Sequence, residues 1–221
     1  MPIITAANSK GGSGKSTLLL TIACALAHSG GKVSVIDSDP QQSIGRWAKE
    51  NASLNFSVRS DVDENSIRQA INDERERSQF VLVDVQGRAS RLMSRVLMAC
   101  DLALIPLSAS EFDADPAADT VKLIRECEMD AGRAIPFSIV FNRTSPAIPT
   151  TSEKEIIAEI IQLGLPILKT HLHDRQAYRL MARRHLGLFD LDEEKVANLG
   201  KAQDNAVQLT RDVLAAMGVV A

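Results

Sequence analysis

The sequence predicts a doubly wound α/β fold, a mostly parallel sheet with helices on both faces, in one domain spanning residues 1–221. Three observations lead there. Short apolar runs alternate along the chain with longer amphipathic ones, the order of strand-helix units. The short runs are apolar almost throughout, as in FVLVDV at Phe80–Val85, which marks strands covered on both faces. No repeat, low-complexity tract or linker interrupts the 221 residues, enough chain for one full core.

The elements follow in order. Ile3–Ala7 reads as a strand ending at a glycine loop. Lys15–His28 places Leu18, Leu19, Ile22 and Leu26 at helical spacing, and Gly30–Gly31 stop it. Val33–Ile36 is a second strand, Gln42–Asn51 a helix, Phe56–Val58 a weak strand and Glu64–Arg77 a polar helix. After Phe80–Val85 come a strand at Leu102–Pro106, a helix over Pro116–Met129 and a strand at Phe137–Phe141. SPAIPTTSE (Ser145–Glu153) reads as a loop, Ser152–Leu163 as a helix and Pro166–Lys169 as a short strand. Helices over Arg175–His185 and Lys195–Met217 complete the chain.

The composition, 45% hydrophobic and 24% charged, is that of a soluble globular protein. With a net charge of -3, any nucleic-acid contact must come from a local patch. Cys24, Cys100 and Cys127 are far apart among apolar neighbours and predict buried thiols, not disulfides. The start, MPIITAANSKGG, lacks the basic region of a secretory leader. No helix-turn-helix is expected before the first strand. No stretch approaches the roughly 18 apolar residues of a membrane span. A cytoplasmic protein is expected.

SKGGSGKST (Ser9–Thr17) lies between the first strand and the first helix, where a phosphate-binding loop belongs. Gly11, Gly12 and Gly14 permit a tight turn and, with Ser13, present backbone N–H groups to phosphate oxygens. The helix N-terminus adds partial positive charge. Lys15 would reach the β- and γ-phosphates, the Ser16 hydroxyl a Mg²⁺ ion, and Thr17 the α-phosphate. The general pattern G-x-x-x-x-G-K-[ST] fails at Ser9, and Lys10 is a cation it does not require. VIDSDPQQS places Asp37 and Asp39 at the carboxyl end of the second strand, beside this loop; alone, the pair fits a turn before Pro40 equally well. Asp84 ends FVLVD, as a carboxylate that holds Mg²⁺ does.

KGGSGKST resembles the deviant phosphate loop of the ParA/MinD family of P-loop ATPases, KGGxGK[ST], and the chain is most similar to small plasmid-type ParA proteins. The resemblance implies that Lys10 crosses the interface of a nucleotide-sandwich homodimer to the partner's phosphates. It implies that Asp37 supports the metal and that Asp39 positions or activates the attacking water, so Lys10, Lys15 and Asp39 form the catalytic set. LALIPLSASEFDADPAA (Leu102–Ala118), with Pro106, Ser108 and Asp113, is similar to the family's dimer-contact region. IVFNR (Ile139–Arg143) is similar to the strand whose asparagine, here Asn142, hydrogen-bonds adenine. One departure stands out: Gln86, in DVQG, replaces the family's proline. It either orients water or is simply a polar loop residue.

The function so implied is that of a DNA-partition ATPase with ATP and Mg²⁺ as cofactors and slow intrinsic turnover. Its ATP-bound homodimer would bind DNA non-specifically, sit on the nucleoid, and be released by hydrolysis that a ParB-type centromere-binding protein stimulates. Arg175, Arg179 and Arg183 recur every four residues and would form one stripe able to track phosphates. By itself that pattern more often describes a solvated helix face, as most charge runs do. Arg88, Arg91 and Arg95 form a second basic cluster. Relatives of the same kind position other cargo, such as DNA-transfer complexes or chemoreceptor clusters, or act at membranes as MinD does. Against stable membrane association, the last helix (NAVQLTRDVLAAMGVVA) offsets Arg211 with Asp212 and reads as a packing helix. Against a metabolic kinase stand Lys10 and DSDPQ.

Overall fold

The computed structural model describes residues 1–87, 90–108, 115–146 and 151–219. Its strands are β1 (Ile3–Ala6), β2 (Val33–Asp37), β3 (Ser57–Arg59), β4 (Phe80–Asp84), β5 (Leu102–Ser108), β6 (Phe137–Thr144) and β7 (Leu172–His173). Its helices are α1 (Lys15–His28), α2 (Ser43–Glu50), α3 (Ile67–Arg77), α4 (Arg91–Ala99), α5 (Asp115–Ala131), α6 (Thr151–Gln162), α7 (Gln176–Arg184) and α8 (Leu199–Ala216). The strands form one parallel sheet in the order β3-β2-β4-β1-β5-β6-β7. The expected α/β class holds.

This order positions the site. The chain runs outward from β1 to β2 and β3, returns to insert β4 between β2 and β1, then continues outward through β5, β6 and β7. The carboxyl ends of β1, β2 and β4 therefore lie side by side, with Ala6 in register with Asp84 and Asp84 with Asp37. In open parallel sheets, a crevice for ligands forms where the strand order reverses.

Alternate residues of each strand enter opposite cores. Ile4, Leu82 and Leu104 face the layer of α1, α2, α7 and α8; Ile3, Val83 and Ile105 face that of α3, α4, α5 and α6. Helix α1 is buried almost all round because it is sandwiched between the sheet and α8. Helix α8 meets it with Ala202, Ala206, Leu209 and Val213, so the expected packing helix is one. The three cysteines are buried and unpaired. Among the described residues, no helix is long and apolar enough to cross a membrane.

Three expectations need correction. Arg91 and Arg95, read as part of a basic cluster, lie on helix α4, which Ser90 caps by accepting the Met93 N–H at 3.2 Å. Arg95 is paired there with Glu64 at 3.3 Å; Arg88 lies outside the described residues, as does Asp113. Pro166–Lys169 is not a strand: Ile167 makes only an isolated bridge to Ile139, and the Thr170 N–H, bound to the Asp212 carboxylate at 2.8 Å, draws the chain toward α8. The seventh strand follows at β7. Finally, the last helix starts later, after a 3-10 turn at Glu193–Lys195 and a left-handed Asn198 (φ 57°).

Ile22 is fully buried between α8 and the sheet. Ile22→Ala should lower unfolding free energy by about 2–5 kcal/mol without moving the helix, as urea denaturation followed by circular dichroism would show.

Candidate functional site

The loop between β1 and α1 is anchored from below. The Asn8 amide donates to the Pro106 carbonyl at 2.7 Å, and its Oδ1 accepts the Lys10 N–H at 2.8 Å. Gly14, at φ 87°, occupies a backbone region that a side chain disfavours, and an added Cβ would lie 2.9 Å from the Asn142 amide. From Gly14 the chain enters α1, whose first residue is Lys15. Loop and helix N-terminus thus face the sheet's carboxyl edge, as the motif requires.

Lys15 is 7% exposed, and burial lowers its ammonium pKa while the nearby Asp84 and Asp39 carboxylates oppose that shift. Its Nζ donates to the Lys10 carbonyl at 3.4 Å. Behind it lies Gly87, where a Cβ would come within 2.6 Å of Lys15 Nζ and 2.8 Å of Lys10 O. Gly87 thus lets the segment after β4 back onto the loop. Gly87 stands in the DVQG departure itself, but its close approach to Lys15 exists only in the folded chain.

Asp84 is fully buried. One carboxylate oxygen accepts the Ser16 hydroxyl at 2.6 Å; the other has no partner among the described residues. Burial pushes its carboxyl up to about 7, helped by Asp37 and opposed by the Ser16 hydroxyl. Asp37 is beside it and also raised by burial, but its oxygens are engaged: one accepts the Gly45 N–H at 2.8 Å in the first turn of α2, the other the Asp39 N–H at 3.2 Å. Asp39 is half-buried and accepts the Gln41 N–H at 2.8 Å. No cluster of three or more His, Cys, Asp or Glu with metal-site spacing occurs among the described residues. A hydroxyl, a carboxylate with a spare oxygen and an adjacent phosphate loop nevertheless suit Mg²⁺, which binds through few protein oxygens and keeps its remaining positions for water and phosphate.

Lys15, Ser16 and Asp39 open onto a cleft of about 870 Å³, walled also by Gly14, Gln86 and residues of α2 and α7. The helices are joined across it: the Trp47 indole N–H donates to the Met181 carbonyl at 2.9 Å, and His185 Nδ1 lies 2.9 Å from Glu50. A smaller cavity of about 270 Å³ adjoins it, with Leu172 and Tyr178 as apolar walls and Asn142 at its edge. Asn142 is 2% exposed; its amide donates to the Ser13 carbonyl at 3.1 Å, which leaves Oδ1 buried and without a partner among the described residues.

The structure thus gathers Gly11, Gly12, Gly14, Lys15, Ser16, Thr17 and Asp39 around one cleft, with Ser13, Asp37 and Asp84 beneath it. Lys10 is half-buried and is not among the described residues that wall the cleft. The arginine stripe is only partly realised. Arg175 precedes α7 in extended conformation (φ −129°, ψ 145°), half-buried at the smaller cavity, so it does not share a helix face with the others. Arg179 and Arg183 lie on α7 and are exposed, with Arg179 paired to Asp174 at 3.3 Å.

Gly87→Ala should displace Lys15 and weaken nucleotide binding by about tenfold or more while the circular dichroism spectrum stays unchanged; calorimetric titration reads the loss. A second test uses Asp84 in metal- and nucleotide-free protein. Its carboxyl is raised from 3.8 to about 7, so the folded chain binds the extra proton between those values and stability falls as pH rises through that window. Asp84→Asn removes the ionisation, and the variant should exceed the parent in stability by roughly 1–3 kcal/mol above pH 7, with the gain vanishing near pH 4. Denaturant titration in a chelating buffer at both pH values measures it.

The chain resembles known proteins along nearly its whole length. The profile of the VirC1 protein family matches residues 1–219. The ParA protein of Rhizobium radiobacter is 36% identical over 93% of this chain and 93% of its own length. The virC1 protein of the same organism is 30% identical over 90% of this chain and 89% of its own. Among solved structures, a Borrelia burgdorferi B31 protein assigned to plasmid partition and bound to AMPPNP shares the fold, with a TM-score of 0.70 at 18% identity over 94% of this chain and 97% of its own. The chain belongs to the VirC1 family, among the ParA/MinD-type P-loop ATPases.

Proposed function

We propose that this chain is a DNA-partition ATPase whose ATP-bound homodimer holds DNA non-specifically and lets go when ATP is hydrolysed. The observation that carries the reading is the meeting of Lys15, Ser16, Asp84 and Asp39 at one cleft beside a glycine loop. A cation for the β- and γ-phosphates, a hydroxyl-carboxylate pair for Mg²⁺ and a carboxylate for water are the parts phosphoryl transfer to water needs. Mg²⁺ would neutralise phosphate charge; Ser16 and Asp84 would hold it, and Asp37 would shape the first turn of α2 beside it. Asp39 would orient the attacking water, and Gln86, which lines the same cleft, would join it. The apolar walls of the smaller cavity suit a base, and the spare Oδ1 of Asn142 can accept from adenine's amino group.

The position of Lys10 supports a role in trans. It does not wall its own cleft among the described residues, while its backbone is fixed by Asn8 and Lys15. A partner subunit could bring it to a second nucleotide, where a cation within a few ångströms stabilises developing charge. Arg179 and Arg183 supply the exposed charge for DNA, with Arg175 nearby. A ParB-type protein would be the hydrolysis-stimulating partner, as the family resemblance implies.

The deciding experiment is DNA binding by the pure protein with ATP, ADP or no nucleotide, across salt concentrations. Binding that requires ATP and weakens steeply with salt is expected; equal binding in all three states contradicts the switch. Arg179→Ala with Arg183→Ala should weaken binding on every sequence and lower the salt slope by about 2. Lys10→Ala should depress hydrolysis at least about tenfold while nucleotide affinity stays near the parent's.

A further inference from the structure

Arg143 stands in an uncommon place. Its φ is 56°, in the left-handed region, yet it lies within β6. The other described non-glycine residues with positive φ are Gln42, His185 and Asn198 at helix ends and Asp61 in a connection. The cause is in the sheet. From Asn142 to Thr144 strand β6 advances two residues, while the paired β7 advances one, from Leu172 to His173. Arg143 is the extra residue of a β-bulge, a feature that re-aims a side chain.

Its neighbours hold it there. Asn142 and Thr144 are 2% and 4% exposed, bound to the Ser13 carbonyl at 3.1 Å and to His173 Nδ1 at 2.9 Å. Arg143 itself is exposed, and among the described residues no hydrogen bond or ion pair engages its guanidinium. Strain of this kind persists where the surroundings over-determine it, and it gathers at ligand sites. Arg143 borders both the 870 Å³ cleft and the 270 Å³ cavity. Gly14, Thr17, Arg143 and Ala182 are the residues common to both walls, and Arg143 is the charged one of the four. A nucleotide with its terminal phosphates at Lys15 and its base beside Asn142 must cross that shared wall with its sugar and α-phosphate.

We propose that Arg143 binds the α-phosphate, its guanidinium presented by the bulge opposite Thr17. The proposal rests on the ATPase reading and adds a residue to its site. The test is calorimetric titration of the full chain with Mg-ATP, Mg-ADP and adenosine, the last by competition, for the parent and for Arg143→Ala, Arg143→Lys and Arg143→Gly. Arg143→Ala and Arg143→Gly should weaken ATP and ADP alike by about tenfold and leave adenosine unchanged, the loss expected for one charge-assisted contact. Arg143→Lys should recover part of the loss, since it keeps charge but not the planar fork. Without nucleotide, Arg143→Gly should melt about 2 °C above Arg143→Ala, because glycine relieves the backbone. Unchanged ATP and ADP affinity in Arg143→Ala overturns the proposal; so does an equal loss for adenosine, which would move the residue to the base. A parent that binds no ATP would defeat the ATPase reading itself, a distinguishable result.

Discussion

The hydrogen bond from the Ser16 hydroxyl to the buried Asp84 carboxylate is the interaction around which the site is built. It ties the first turn of α1 to the end of β4 and so fixes where the phosphate loop stands over the sheet. A fully buried carboxylate is costly unless its oxygens are engaged, and here one oxygen is served and the other is spare. Lys15 is buried nearby, lowered by the same desolvation that raises Asp84. The two charges that the nucleotide and its metal would meet are thus held in strained states before either arrives, which is where a locally unfavourable arrangement signals function.

From this centre the structure leads outward. Asp37, one strand over, caps the first turn of α2 through Gly45. Asp39 lies in the short segment between them, so any movement of that segment moves the start of α2. Helix α2 is tied to α7 by Trp47 and by the Glu50–His185 contact. Helix α7 carries Arg179 and Arg183 on its exposed face and also borders both cavities. The proposed nucleotide cleft and the basic helix are therefore two sides of one packed unit, the physical requirement for occupancy of one to bias the other.

Much of this could be read from the residues because local pattern and motif agreed. The bounds of α1 are those the periodicity and the Gly30–Gly31 stop indicate, and β2 and β4 end at Asp37 and Asp84. What escaped depends on distant contacts. Strand β7 is two residues long and is held by Asn205 on α8, whose Oδ1 accepts the His173 N–H and whose amide donates to the His171 carbonyl, a pairing that no local pattern reveals. Helix α4 does carry a local signal, a Ser90 cap followed by Leu92, Met93, Val96 and Leu97, interleaved with Arg91 and Arg95. Arg175 left the stripe because α7 begins one residue after it. The roles of Gly87 and Arg143 arise from a close approach and a bulge, both properties of the folded chain.

The central claim is that each chain carries a half-site completed by a second copy. Sedimentation velocity with Mg²⁺ and a non-hydrolysable ATP analogue measures it directly. The account predicts that the 24.0 kDa chain doubles its mass with the analogue and stays single with ADP. A 24.0 kDa species at saturating analogue would contradict it.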